Sequence, residues 1–442
     1  MGMREGVAVS KPVSGAHAIS ERVRLFREGL WIAAGQGVAA IATLAGVRLL
    51  TELASPSLYG GFILVNGMLS LVQGVALQPT AQAALRFYPE YEASGASHLL
   101  RRRLVRIFAR RWGWIAGACL ASATVDGMAF RYLGPAAWAL VAGTAGLDAW
   151  KSVEIVMRNA ARRQSAYATV LAADAVARPA GAVLAAWALG ASLESLLLGQ
   201  AAGALAVLAC TALIDGSAAP DNGRLEPERH TLAGLEGGMD RFAAPLVWMP
   251  VIGWVSGMAD RYVVGGILGL SQAGIYGAAY GLASRPLLMV GTVTEATFRQ
   301  PLYGAVSGKE RSSSNRLLLA WLVLNVGAGS MLALLLGGGK DIVVHWILAA
   351  GYREQAAELL PWIAAGYVFV LANQALERWL YAQQRTGVVT LVGAAGAILA
   401  IAGALVGSTW FGLKGVAAAV PVYFAGQLAL TTLALSRLRR TL

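Results

Sequence analysis

Twelve apolar stretches, most of them close to twenty residues long, constrain how this 442-residue chain can fold. They fall near 30–50, 59–80, 112–130, 135–155, 167–189, 192–214, 242–264, 272–294, 317–337, 357–377, 387–407 and 413–435. As a helix, a run of that length matches the hydrocarbon thickness of a bilayer and satisfies its own backbone groups without water. An outer-membrane barrel would instead show alternating segments of about 10 residues. Charged residues make up 14% of the chain, against about 25% in soluble domains. The expected class is an all-α polytopic membrane protein with twelve transmembrane helices. The 53 glycines suit helices packed through small side chains. The fourth stretch is crowded at its end by Asp148, Lys151 and Glu154, and the apolar piece at 342–350 is too short to span. It is expected to re-enter or to lie along the surface.

Basic residues assign the sides. With the N-terminus in the cytoplasm, the loops and termini on that side hold 27 Lys or Arg, and the opposite loops hold four: Arg131, Lys340, Arg353 and Lys414. Such a bias places both termini inside, in a bacterial inner membrane. The first 29 residues carry Arg4, Lys11, Arg22, Arg24 and Arg27 and do not read as a cleaved signal. A short interfacial helix is expected over 19–27. The organisation predicted is a cytoplasmic arm (1–29), a six-helix bundle (30–214), a cytoplasmic linker rich in Gly, Pro and charge (215–240), a second six-helix bundle (241–435) and a cytoplasmic tail (436–442).

A repeated phrase supports two pseudo-symmetric halves. Leu53-Ala54-Ser55-Pro56-Ser57-Leu58-Tyr59-Gly60 returns as Leu270-Ser271-Gln272-Ala273-Gly274-Ile275-Tyr276-Gly277. Further on, Arg86 leads to Ala93-Ser94-Gly95, and Arg299 leads to Val306-Ser307-Gly308. Internal repeats of this kind are common in transporters.

Ionisable residues inside the spans are the functional candidates. A charge at a helix centre costs roughly 2.5–3.5 kcal/mol on insertion scales, so it favours a partner or an aqueous cavity. Arg48 and Glu52, Asp174 and Arg178, and Glu295 and Arg299 share the i,i+4 spacing of one helical face. Asp260 and Arg261 are adjacent and expected to point to different faces. Arg285 lies mid-span, directly before Pro286, with no acid three or four residues away. Asp174, Glu52, Asp260 and Glu295 are the candidates for ion coupling or for pairing.

Other chemistry finds little support. The four histidines form no spaced pair, and Cys119 and Cys210 lie in apolar runs, where burial as packing residues is expected. No Gly-rich phosphate loop occurs, and no soluble region is long enough for a nucleotide-binding fold. No catalytic residue, metal ligand or cofactor is predicted, and no nucleic-acid partner: the chain is not expected to be an enzyme.

Arg48-Leu49-Leu50 followed by Pro56-Ser57-Leu58-Tyr59-Gly60 resembles the first-loop pattern of bacterial polysaccharide flippases of the multidrug/oligosaccharidyl-lipid/polysaccharide (MOP) exporter superfamily. The segment from Asp260-Arg261 through Gly274-Ile275-Tyr276-Gly277 to Ala279-Tyr280 is similar to the start of that family's second half. Arg86-Phe87-Tyr88-Pro89-Glu90-Tyr91 resembles its first cytoplasmic loop, and Ala283-Ser284-Arg285 the basic position of its eighth helix. The stretch from Leu50 to Ser55 is more polar than the family's usual turn, and the two extra C-terminal spans of related lipid II flippases are absent. The resemblance implies a flippase for polyprenyl-diphosphate-linked oligosaccharide or polysaccharide precursors, as in exopolysaccharide or lipopolysaccharide biosynthesis. It implies that Arg48, Arg178, Arg261 and Arg285 bind substrate, and that the pathway's polymerase and glycosyltransferases and the membrane lipids are partners. Two alternatives remain at this stage: a cation-coupled small-molecule exporter, and a non-transporting scaffold of a glycan-assembly complex.

Overall fold

A computed structural model of the chain describes residues 15–125, 134–215, 229–308 and 310–440. The first fourteen residues of the expected arm, Arg131, residues 216–228 of the linker and the last two residues of the tail lie outside the described residues. The described residues form helices and short turns, with no strand among them. In order they are α1 (Gly15–Leu53), α2 (Pro56–Ala93), α3 (Ser97–Val125), α4 (Pro135–Ala160), α5 (Gln164–Leu189), α6 (Leu193–Asp215), α7 (Arg229–Ala243), α8 (Trp248–Ile267), α9 (Leu270–Ser307), α10 (Arg311–Gly338), α11 (Lys340–Ile347), α12 (Ala350–Ala382) and α13 (Thr386–Arg440).

Among the described residues, eight helices are long and apolar enough to cross a membrane. The expected spans at 387–407 and 413–435 both fall within α13, which breaks at Gly412, where φ is +62°. Those expected at 135–155 and 272–294 fall in α4 and α9, and the part of 112–130 up to Val125 falls in α3, its last five residues lying outside the described residues; none of these three helices is among the eight. Two expectations change in detail. The helix foreseen over 19–27 is continuous with α1 rather than separate, and the linker ends in a helix, α7.

Local sequence explains the ends and bends. Pro56 starts α2 at a position that needs no backbone donor, and the Ser55 hydroxyl caps the helix by accepting from Leu58 N. Prolines inside α2, α5, α9, α12 and α13 each remove one intrahelical bond. α5 and α6 approach to backbone contact, because a Cβ on Gly181, Gly199 or Gly203 would run into main-chain oxygen of the facing helix.

The principal core joins α1, α2, α3, α4, α5 and α6 to α8, α9, α10, α11, α12 and α13. Two smaller clusters flank it. One, around Tyr88, Tyr91, Leu104 and Phe108, receives Met239 of α7; the other gathers Leu302, Trp321, Trp379 and Leu380. The outer surface carries many exposed apolar side chains, including Trp114, Trp187, Leu334 and Trp410. In water this would be an aggregation surface, whereas lipid covers it at no cost.

Candidate functional site

At one end of the molecule a seam joins the first helices to the later ones. α2 and α9 cross beside their N-termini, where a Cβ on Gly60 would collide with Leu270 O and one on Gly274 with Pro56 O. Beside this crossing Arg48 Nη1 donates to Leu348 O at 2.7 Å, Ala349 N to Thr51 Oγ1 at 3.3 Å and Tyr352 OH to Ala54 O at 2.8 Å. The rings of Tyr59 and Tyr352 meet edge-on at 6.0 Å. Farther along α2, Tyr262 OH donates to Leu64 O at 2.5 Å and Trp254 Nε1 to Gly67 O at 2.7 Å. The segment at 342–350 takes part through α11, an eight-residue helix too short to span, and the turn after it.

Behind the seam lies a cavity of about 570 Å³, walled by α1, α2, α5 and α6 on one side and by α8, α9 and α12 on the other. Four predicted residues line it: Asp174, Arg178, Arg261 and Arg285. Asn66, one of the span amides that could wet a central cavity, lines it too, as do Gln200, Tyr280 and Ser284, not singled out as binding residues from sequence. Gln200 Nε2 donates to Asn66 Oδ1 at 2.6 Å.

Arg178 belongs to a compact ion cluster. Its guanidinium pairs with Asp148, and its Nε lies 3.1 Å from Asp174 Oδ1. Lys151 Nζ sits 3.0 Å from Asp148 Oδ1 and 2.7 Å from Asp174 Oδ1. Gln73 Nε2 donates to Asp148. Two acids and two bases balance, which is how charge is tolerated away from water. Two of the fourth stretch's charges, Asp148 and Lys151, thus turn inward to meet α5, while Glu154 pairs with Arg101 of α3.

Arg261 is also compensated. Adjacent helical residues point about 100° apart, yet the Arg261 side chain folds back so that Nη1 lies 3.3 Å from Asp260 Oδ1 and donates to Gly257 O at 2.5 Å. The two side chains thus keep separate faces, Arg261 on the cavity lining and Asp260 off it, and are paired as well. Tyr276 OH donates to Asp260 Oδ2 at 2.7 Å, and the Arg261 guanidinium stacks 4.0 Å from the Tyr280 ring centroid. Tyr367 OH donates in turn to Tyr280 OH at 3.2 Å.

Arg285 differs. It is exposed to the cavity, and among the described residues no carboxylate pairs with it. It also stands at a junction: a smaller groove of about 240 Å³ between α1 and α9 shares Thr43, Arg285 and Leu288 with the central cavity. Its other walls are mostly apolar, with Ala39, Ala40, Met289, Val293 and Ala296 beside Gln36 and Thr292.

The remaining predicted residues lie elsewhere. Arg48 and Glu52 pair at 2.5 Å on the seam, outside the cavity lining. Asp260 stands behind Arg261. Glu295 is held at the α9–α12 interface by Gln374 at 2.8 Å, Arg378 at 2.9 Å and Arg299 at 3.3 Å. Cys119 is buried as expected but Cys210 is exposed, which corrects its packing assignment. Among the described residues no group of three His, Cys, Asp or Glu side chains is placed to hold a metal ion.

No protein-family model and no curated protein sequence matches the chain. Solved structures do. The lipid II flippase MurJ in an inward closed conformation matches with a TM-score of 0.71 at 11% identity, over 92% of this chain and 87% of that one. An inward-facing multidrug resistance MATE family transporter of the MOP superfamily matches with a TM-score of 0.67 at 12% identity, over 91% and 96%. The Vibrio cholerae MATE transporter VcmN matches with a TM-score of 0.64 at 11% identity, over 97% and 99%. The chain is a multi-pass membrane protein with the fold shared by MurJ and the MATE transporters of the MOP superfamily.

Proposed function

We propose that this protein moves a lipid-linked anionic glycan, a polyprenyl-diphosphate-linked oligosaccharide or related polysaccharide precursor, across the bacterial inner membrane. The observation that carries the reading is Arg285, a cavity cation without a carboxylate, standing where a cavity lined in part by charged side chains meets an apolar side groove. A diphosphate at Arg285 would receive charge-assisted bonds, its sugars would extend toward Arg178, Gln200 and Asn66, and its isoprenoid tail would lie between α1 and α9. The likeness to a lipid II flippase supports a lipid substrate. On this reading the chain spans twelve times in two six-helix lobes with both termini in the cytoplasm. The seam at Gly60 and Gly274 then closes the outer side, and alternating access consists of opening that seam while the opposite side closes. The pathway's polymerase and glycosyltransferases would supply and consume the substrate.

A second reading, a cation-coupled small-molecule exporter, draws on Asp174 in the cavity wall and on the likeness to MATE transporters. A scaffold without transport fits less well, because four charged side chains line the cavity. The deciding assay uses vesicles containing the purified protein and a fluorescent lipid-linked oligosaccharide. The flippase reading expects translocation faster than in empty vesicles, lost in Arg285→Gln and partly kept in Arg285→Lys. Uptake of water-soluble cations that depends on Asp174, with no lipid movement, would establish the exporter instead.

A further inference from the structure

A second groove, which shares no lining residue with the central cavity, lies between α3 and α4. It encloses about 390 Å³ and is lined by Val105, Ala109, Trp112, Gly143 and Trp150, among others, with almost no polar surface. Trp112 Nε1 donates to Ala142 O at 2.8 Å and so ties the two helices at one end, and Arg101 pairs with Glu154 at 2.5 Å to tie them at the other. The indole of Trp112 rests directly on Gly146, where any Cβ would displace it.

Arginines on α3 divide into two sets. Arg101, Arg103 and Arg111 are occupied by Glu154, by Glu236 and Asp240, and by Ala76 O with the Thr80 hydroxyl. Arg102, Arg106 and Arg110 are exposed, and none has a carboxylate partner among the described residues. Arg102 and Arg106 are one helical turn apart, and Ala109, three residues on, continues the same edge into the groove. Arg110 has rotated about 80° past Arg102 and points farther from the groove. The helix turns from basic to apolar at Trp112, so the groove straddles the level where headgroups give way to acyl chains.

We propose that this groove binds one anionic phospholipid of the cytoplasmic leaflet, with its phosphate on Arg102 and Arg106 and an acyl chain between Trp112 and Trp150. Charge complementarity selects the ligand class: two exposed arginines without a carboxylate partner stand on the helix edge that runs on into a slot offering nothing to a polar tail. The site is separate from the transport cavity, and the proposal does not depend on what the protein carries.

The test uses native mass spectrometry of the purified full chain, titrated with dioleoyl-phosphatidylglycerol or dioleoyl-phosphatidylcholine. Phosphatidylglycerol is expected to bind first and more tightly, with a preference that falls about fivefold for each arginine removed in Arg102→Gln and Arg106→Gln. Arg110→Gln should change it little, and the double Arg→Lys variant at 102 and 106 should retain most of it. Gly143→Leu fills the groove where a side chain meets no neighbouring atom, so it should reduce binding while leaving the fold intact. Equal losses from Arg110→Gln and Arg102→Gln, or full binding in Gly143→Leu, would show general surface attraction and overturn the proposal. No preference between the two lipids would overturn it as well.

Discussion

Gly60 of α2 and Gly274 of α9 meet at backbone contact, each occupying space that a side chain would deny to the other helix. Both are the fifth residue of their helix, and each touches the first residue of the facing one, Leu270 or Pro56. The two helices are also equal in length, 38 residues each.

Gly60→Leu should therefore hold the seam open. Overpacking a tight contact costs about 1–3 kcal/mol, which shifts a closed-to-open equilibrium by about fivefold to a hundredfold. Spin labels at Ser57 and Gln355, in a background lacking Cys119 and Cys210, would report a longer distance population. Unchanged distances would remove this contact from the gate.

Arg48 and Arg285 should separate cleanly. Arg285→Gln removes a charge-assisted bond to substrate worth about 1.5–3 kcal/mol, raising apparent Kd for a lipid diphosphate about tenfold to a hundredfold. Arg48→Gln should leave that affinity within about twofold, since the residue bonds to Leu348 O and not to the cavity. Its effect belongs to the seam distance. Equal losses of affinity in both variants would argue against this division.

Asp148→Asn should destabilise the fold, because Lys151 and Arg178 would then share the single carboxylate of Asp174. Removing one partner of a buried ion network costs about 3–5 kcal/mol. The loss is read as a lower Tm in detergent, and adding Lys151→Met should restore part of it. A Tm within a degree of the starting protein would show that water already reaches the cluster.

Arg103 anchors α7 through Glu236 and Asp240, both at 2.8 Å. The acids are substantially exposed, so the pair of bonds is worth about 1 kcal/mol after screening. Glu236→Gln combined with Asp240→Asn should speed amide exchange in α7 about fivefold, with exchange in α2 unchanged. Equal acceleration in both helices would mean that the clamp holds more than the linker.

The apolar runs made the helices legible, since their length and lack of charge leave few other structures. Arg285 was legible for a related reason: no acid stood within one turn of it. Arg48 was misplaced because the carbonyl it bonds lies 300 residues away, and spacing along one helix carries no such information. The same limit hid Asp148 as the counter-ion of Arg178, since the two sit on different helices. Cys210 shows another limit. An apolar run in a membrane protein predicts surroundings of hydrocarbon, and lipid supplies these as well as protein does.

The two copies of the repeated Tyr-Gly phrase sit at different positions in their helices. Tyr59 is the fourth residue of α2 and Tyr276 the seventh of α9. Nearly a full turn separates their positions, so Tyr59 packs on Tyr352 at the seam and Tyr276 holds Asp260 behind the cavity wall.

The reciprocal crossing of α2 and α9 has the form of a twofold interface between identical chains, in which residue five of each meets residue one of the other. Each helix therefore presents the other with the same geometry, so one close approach is met twice, and a side chain added at either glycine strikes a main-chain oxygen of the facing helix. The joint tolerates enlargement on neither side, and a bulky residue on one helix has no matching recess on the other to enter.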